Sequence, residues 1–217
     1  RVKFTVEREI SFVDDGSDQD QRQVTPKADG LERARFVGMT RNQGKGVAIR
    51  IGLKYCTGDI ILIQDADLEY SPWDIPRLLE PFLNNSANVV YGTRFSKLPE
   101  KMAKSHYMGN LILTKITNFL YNVDLSDVET GYKLFKRKIV DSISLNAREF
   151  EFEPELTAKI LNLGYKILEK PINYRYRTKG EAKINWLDGV ESALVLIQYR
   201  LFKNSRFFQF LYDVFKF

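Results

Sequence analysis

The sequence predicts an α/β fold with a mostly parallel central sheet flanked by helices. Strand-like and helix-like segments alternate along the first half of the chain. Ile60, Ile61, Leu62 and Ile63 form an aliphatic run that reads as a strand covered on both faces. Charged residues stand just past one strand end after another, where open α/β sheets bind their ligands.

Each element has its own local reason. "REISFVDDGSD" is a strand (Ile10, Phe12, Val13) broken by Asp14, Asp15, Gly16 and Ser17. "RARFVGM" repeats the strand signal with Phe36 and Val37. In "RNQGKGVAIRIGLKYCTG" a glycine-rich turn feeds a helix with Val47, Ala48, Ile51 and Tyr55 on one face and Gly58 as its stop. The aliphatic strand follows, and "SPWDIPRLLEPFL" then starts a helix with Ser71 as N-cap and Pro72 at the first position. "NVVYGTRF" is another buried strand. From Tyr107 a helical period sets in, with Met108, Leu111, Ile112, Ile116, Phe119 and Leu120 on its apolar face. "DVETGYKLFKRKIV" is a turn leading to an apolar–basic segment. "FEPELTAKILNLG" is a helix closed by Gly164, and "YKILEKPINYRYR" is a strand. The basic loop "RTKGEAKIN" precedes a last helix with Leu187, Val190, Leu194, Ile197 and Leu201 in register. Residues 1–203 are expected to form one domain and 204–217 an aromatic tail.

Composition excludes several classes. A single cysteine, Cys56, rules out an internal disulfide framework and a cysteine-rich zinc site. A single histidine, His106, rules out a multi-histidine metal centre and disfavours a serine–histidine hydrolase. Any metal would be held by oxygen, which favours Mg²⁺ or Mn²⁺. The net charge of +5 and pI of 9.1 suit an anionic ligand or membrane surface. They fall short of the clustered basic stripe of a nucleic-acid binder, so no nucleic-acid partner is expected. With no apolar run near ~18 residues and no signal peptide, the expected setting is cytoplasmic.

The chemistry concentrates where the aliphatic strand ends. Asp65, Asp67 and Glu69 stand at alternate positions and would share one face if the backbone stays extended. Converging carboxylates repel unless one keeps its proton or a cation sits among them. The plain alternative is a solvated turn ahead of Ser71, but the buried strand before it favours a metal site. Asp14 and Asp15 are equally readable as turn formers, and Lys45 as part of a simple helix entry. Arg94 reads as a surface ion-pair partner, Asp127 and Glu129 as caps, and Glu153 and Glu155 as a first-turn match to the helix dipole.

"VDDGS", "RNQGKG", "GDIILIQDADLEYSP", "VVYGTRF", "HYMGNLILTKITNFLY", "DVETGYKLFKR" and "FEPELTAKI" occur in the order seen in family 2 glycosyltransferases. From about Ile10 to Tyr199 the chain resembles the branch of dolichol-phosphate mannose and glucose synthases and their bacterial polyprenyl-phosphate relatives. The resemblance implies a GT-A fold, a nucleotide-diphosphate sugar donor, Mg²⁺ or Mn²⁺, and inversion at the anomeric carbon. It implies that Asp14 and Asp15 contact base and ribose, and that Asp65 and Asp67 hold metal and diphosphate with Glu69 as a third ligand. It assigns Arg94 to the acceptor phosphate, Asp127 to the acidic position before the "TGY" turn, and Arg177 and Lys183 to a basic loop over the diphosphate. A direct phosphate role for Lys45 stands even with its role in the helix entry. The family's apolar opening strand and Pro-x-Tyr-Asn-Glu turn have no counterpart in "RVKFTVEREI", so that strand is expected to be missing or replaced.

The expected reaction is transfer of a hexose from a GDP- or UDP-sugar to polyprenyl or dolichyl phosphate. A lipid phosphate is already an anion and needs no general base. A sugar-hydroxyl acceptor would need one, with Asp127 or Glu155 as the candidate. The aromatic tail from Arg206 to Phe217 is readable as a membrane-interface element or as packing against the domain or a partner copy, so a homo-oligomer stays open. The rivals are a sugar nucleotidyltransferase, whose glycine-rich N-terminal loop is missing, and a non-enzymatic sugar-nucleotide-binding protein.

Overall fold

The computed structural model of the chain describes residues 6–17, 33–95, 104–175 and 186–202. The expectations for Arg177, Lys183, the "RTKGEAKIN" loop and the tail 204–217 lie outside them.

In chain order the elements are β1 (Ile10–Asp14), β2 (Ala34–Gly38), α1 (Lys45–Tyr55), β3 (Ile60–Ile63) and a 3₁₀ turn (Pro72–Asp74). Then come α2 (Ile75–Leu83), β4 (Val89–Thr93), α3 (Lys104–Tyr121), β5 (Lys133–Lys136) and α4 (Arg137–Asp141). Helix α5 (Phe152–Asn162), β6 (Leu168–Pro171) and α6 (Trp186–Leu201) complete the described chain. Strands β1 and β2 pair in parallel as a two-stranded sheet. The larger sheet has the order β3-β5-β4-β6.

The expected α/β fold with its sheets flanked by helices is found, and one strand makes the larger sheet partly mixed. Strand β5 runs antiparallel to both β3 and β4, and only β4 and β6 are parallel. The segment "YKLFKR" carried no alternation strong enough to be read as a strand. It is inserted between two strands that run the other way.

The aliphatic strand is covered on both faces, as its composition requires. Ile61 and Ile63 pack into one core with Val89, Tyr91 and Phe135, while Ile60 and Leu62 pack into another with Val90, Leu134 and Tyr132. The period-2 alternation of β3, β4 and β5 thus divides their side chains between two helix-covered layers. Burying a Leu or Ile side chain stabilises by roughly 1.5–3 kcal/mol, so this sheet anchors the charged loops at its ends.

Three helix readings change. Helix α1 packs inward through Ile49, Leu53 and Cys56, leaving Tyr55 exposed. Ser71 makes no side-chain cap; a 3₁₀ turn begins at Pro72 and α2 starts only at Ile75. On α6 the row Val190, Leu194, Ile197 and Leu201 faces outward, while Ser192, Val195 and Leu196 are buried. That helix is apolar on two sides, and the side that packs on α3 and α5 carries the smaller residues.

Candidate functional site

Four short segments assemble the site, and each is held by identifiable bonds. The Asp15 carboxylate accepts hydrogen bonds from the backbone N–H groups of Gln43 and Gly44, both at 2.8 Å. This ties the end of β1 to the start of α1. Gly44 turns the chain into the helix at φ 99°, a conformation that favours glycine. Lys45 is therefore the first residue of α1, held in a fixed direction. Asp14 closes its own turn by accepting from the backbone and hydroxyl of Ser17.

Past β3, Asp65, Asp67 and Glu69 are partly buried while Gln64, Ala66 and Leu68 between them are exposed. The burial alternates, but the backbone does not stay extended: it bends at 66–69 with Leu68 at φ 64°, so the three carboxylates do not share one face as an extended strand would present them. The side chain of Asp65 is 26% exposed and lies against the "TGY" turn. A Cβ placed on Gly131 would meet Asp65 Oδ2 at 2.6 Å and the Tyr70 ring at 3.0 Å, so a larger residue there would push Asp65 aside. The Gly131 N–H donates to Tyr70 Oη at 2.8 Å.

The Lys45 ammonium lies 2.9 Å from Asp65 Oδ2 and 2.6 Å from Glu153 Oε1. Burial alone would lower its pKa, but the charges of Glu153 and Asp65 override that and hold it above the ordinary lysine value. Glu153 was expected to match a helix dipole; instead it is a buried partner of Lys45. Glu155 is likewise buried, accepting from the N–H groups of Asn146 and Ala147, from Lys159 and from the Tyr199 hydroxyl.

Expected as a third metal ligand, Glu69 accepts the Tyr174 hydroxyl at 3.0 Å. Asp67 Oδ1 accepts the Glu69 N–H at 3.1 Å. Among the described residues no three Asp, Glu, His or Cys side chains converge as a metal cage. The donor set still fits Mg²⁺ or Mn²⁺. Such an ion uses one or two carboxylates and completes its shell with water and substrate phosphates. At Asp65 an ammonium already stands where a cation is called for.

Arg94 and Asp127 are brought together. Asp127 is fully buried and accepts the Arg94 backbone N–H at 2.9 Å, Arg94 Nε at 2.8 Å, Arg94 Nη2 at 2.7 Å and Asn110 Nδ2 at 3.0 Å. Both carboxylate oxygens are thus taken up by donors inside the protein, which argues against Asp127 as a general base facing an acceptor. The Arg94 guanidinium also lies 5.3 Å from the Tyr174 ring centre and 5.4 Å from that of Phe95.

Beneath this layer is a buried charge group that the sequence reading missed. Lys133 Nζ donates to the carbonyls of Val128 and Thr130 and lies 4.6 Å from the Tyr91 ring centre. Burial pushes its pKa down to about 8. Glu129 Oε1 and Glu153 Oε2 are buried with no hydrogen-bond partner among the described residues. Burial, then the charge of Glu153, pushes Glu129 up to about 7. Lys133 was legible only as part of an "apolar–basic" segment, and nothing local marked the Glu129 Oε1 as buried.

This pair sets a pH dependence. Burial pushes Glu129 from the ordinary glutamate value of 4.5, which it keeps in the unfolded chain, up to about 7 in the folded one. Across that window the folded state holds a proton the unfolded state has lost, so Glu129 lowers stability as pH rises. Glu129→Gln is expected to raise stability by about 1–3 kcal/mol at about pH 7.5 and by much less at about pH 5. Thermal melts at the two pH values check this; an equal effect at both would contradict the burial of an ionisable Glu129.

The family model for glycosyl transferase family 2 matches residues 5–144, and the chain belongs to that family. It is 29% identical over 179 residues to the low-salt glycan biosynthesis hexosyltransferase Agl6 of Haloferax volcanii, covering 81% of this chain and 42% of that protein. It is 26% identical to a dolichol-phosphate mannosyltransferase of Pyrococcus furiosus, covering 81% of this chain and 50% of that one. With a polyprenol monophosphomannose synthase of Mycolicibacterium smegmatis the identity is 28%, covering 81% and 70%. The chain thus spans about half the length of the first two relatives. Among solved structures it resembles glucosyl-3-phosphoglycerate synthase of Mycobacterium tuberculosis in complex with Mn²⁺, uridine diphosphate and glucosyl-3-phosphoglycerate. The TM-score is 0.63 at 18% identity, over 88% of this chain and 68% of that one. The fold is GT-A, with the partly mixed sheet described above.

Proposed function

We propose that the chain carries the machinery of an inverting hexosyltransferase that uses a GDP- or UDP-sugar and a polyprenyl or dolichyl phosphate. The observation that carries the donor half is Asp65: partly exposed at the end of β3, packed on the Gly131 turn and paired with a cation. Asp65 and Asp67 would hold Mg²⁺ or Mn²⁺, which when bound neutralises charge growing on the departing diphosphate. Lys45, fixed by the Asp15-bound turn, stands on the same carboxylate and adds positive charge at the same place. Asp15, which ties β1 to the start of α1, and Asp14 in the adjoining turn would face the nucleoside.

The acceptor half follows from the state of the two candidate bases. Asp127 and Glu155 are both buried and both saturated with donors. An acceptor that is already an anion needs neither of them. Arg94, held by Asp127 in one orientation, offers its guanidinium charge to such an acceptor phosphate. The relatives named for dolichol- and polyprenol-phosphate mannose synthesis support the same class.

Among the described residues no helix is long and apolar enough to cross a membrane. Peripheral attachment at the cytoplasmic face is part of the proposal. It is supported by the outward apolar residues of two helices packed side by side: Met108, Ile112 and Phe119 on α3, and Val190, Leu194 and Leu201 on α6. The deciding assay supplies labelled UDP- and GDP-hexoses with Mn²⁺ to the protein on vesicles containing polyprenyl phosphate or on a neutral oligosaccharide. Label is expected in the lipid phase only. Label in the oligosaccharide would make the acceptor a sugar hydroxyl, and binding without transfer to either would leave a sugar-nucleotide-binding protein.

A further inference from the structure

We propose that Lys45 is a tethered counter-cation that occupies Asp65 in the ligand-free chain and thereby makes metal binding depend on the nucleotide. The inference rests on the reading of Asp65 as the cation and diphosphate ligand. One ammonium bridges two carboxylates from separate elements, Asp65 after β3 at 2.9 Å and Glu153 in α5 at 2.6 Å. The two partners are unequal. Asp65 keeps a side-chain exposure of 26%, whereas Glu153 keeps 8% and has one oxygen without a hydrogen-bond partner among the described residues.

Water can take over the solvation of Asp65 but not of Glu153, and a buried carboxylate that loses its cation is costly. Lys45 therefore gives up Asp65 before it gives up Glu153. The turn that carries it cannot retreat far. Gly44 is held by Asp15, and a Cβ on Gly46 would meet the Ala147 carbonyl oxygen at 2.5 Å, so the first turn of α1 is pressed against the chain before α5. A divalent cation alone at Asp65 would have to compete with Lys45 for Oδ2 or share the carboxylate with it, and in either case would lie beside the ammonium. A diphosphate arriving with it supplies negative charge to both. Metal and nucleotide each then favour the other by the same factor, as linkage requires.

The test is Mn²⁺ binding, followed by the electron paramagnetic resonance signal of free Mn²⁺, with and without UDP or GDP. In the unaltered chain, saturating nucleotide is expected to tighten Mn²⁺ about tenfold or more, within the usual range of coupling between sites. In Lys45→Met, Mn²⁺ without nucleotide is expected to bind about tenfold tighter and the coupling to shrink accordingly. Glu153→Gln leaves the ammonium to Asp65 alone, so Mn²⁺ without nucleotide is expected to bind several-fold more weakly. Arg148→Gln removes an exposed charge in the same neighbourhood and is expected to change Mn²⁺ affinity less than about twofold, because salt screens it. Mn²⁺ affinity that is unchanged or lower in Lys45→Met overturns the proposal. Should that variant not fold, Glu153→Gln decides, and unchanged or tighter Mn²⁺ binding there overturns it. Asp65→Asn separates the two levels. If it leaves Mn²⁺ and nucleotide binding intact, the donor-site reading fails; if it abolishes them while Lys45→Met has no effect, only the role of Lys45 fails.

Discussion

Asp65→Asn is expected to lower the rate of sugar transfer by about a hundred- to a thousandfold while leaving the protein folded. The loss follows from charge, since asparagine keeps the shape of the side chain and can remain against Gly131. What disappears is the negative charge that, on the proposed reading, would hold a divalent cation and help neutralise the leaving diphosphate. Stability should change little, because the Asp65 side chain is partly exposed and Lys45 retains Glu153. Asp67→Asn is expected to act in the same direction. The measurement is initial rate at saturating donor and Mn²⁺, with a thermal melt of each variant. Transfer by a folded Asp65→Asn protein at the unaltered rate would remove Asp65 from the donor site.

Asp65 was also the residue most legible in the sequence, for a local physical reason. An aliphatic run covered on both faces must be a buried strand, and its first polar residues must emerge at the strand's end. The same logic located Asp15 and Arg94. It failed for β5, because strand direction is set by pairing with β3 and β4, and those neighbours are remote in sequence. It failed for the outward row of α6, because a helix apolar on two sides does not reveal which side has a partner. Glu153 and Glu155 had been assigned to the helix dipole, since acidic residues in a first turn are common. Only the arrival of Lys45 from α1, and of the Asn146–Ala147 backbone, shows that they neutralise and tie down other segments. Patterns that encode burial were readable, whereas the partners of buried charges depend on tertiary approach.

Asp127→Asn is expected to lower stability by about 3–5 kcal/mol, the usual cost of breaking a buried ion pair from one side. For a chain of this size that is a fall in Tm of about 10 °C. Asp127 is 0% exposed and out of reach of water, while Arg94 keeps a side-chain exposure of 10%, an accessible edge too small to solvate the whole guanidinium. Asparagine leaves the guanidinium buried without its counter-ion, and an amide nitrogen placed toward it would oppose two N–H donors. Arg94→Met alone should cost a similar amount by stranding the carboxylate. Arg94→Met with Asp127→Asn should cost much less than the sum, because neither charge is left behind. This separates the general-base role that the sequence allowed for Asp127 from the holding of Arg94 that the structure shows. A general base would lose kcat on mutation with Tm nearly unchanged. A holder of Arg94 would lose Tm, and in the folded fraction the apparent KM for polyprenyl phosphate would rise more than that for the sugar nucleotide, because the guanidinium is no longer oriented. A collapse of kcat at constant Tm would return Asp127 to the role of base and, with it, favour a hydroxyl acceptor over a phosphate.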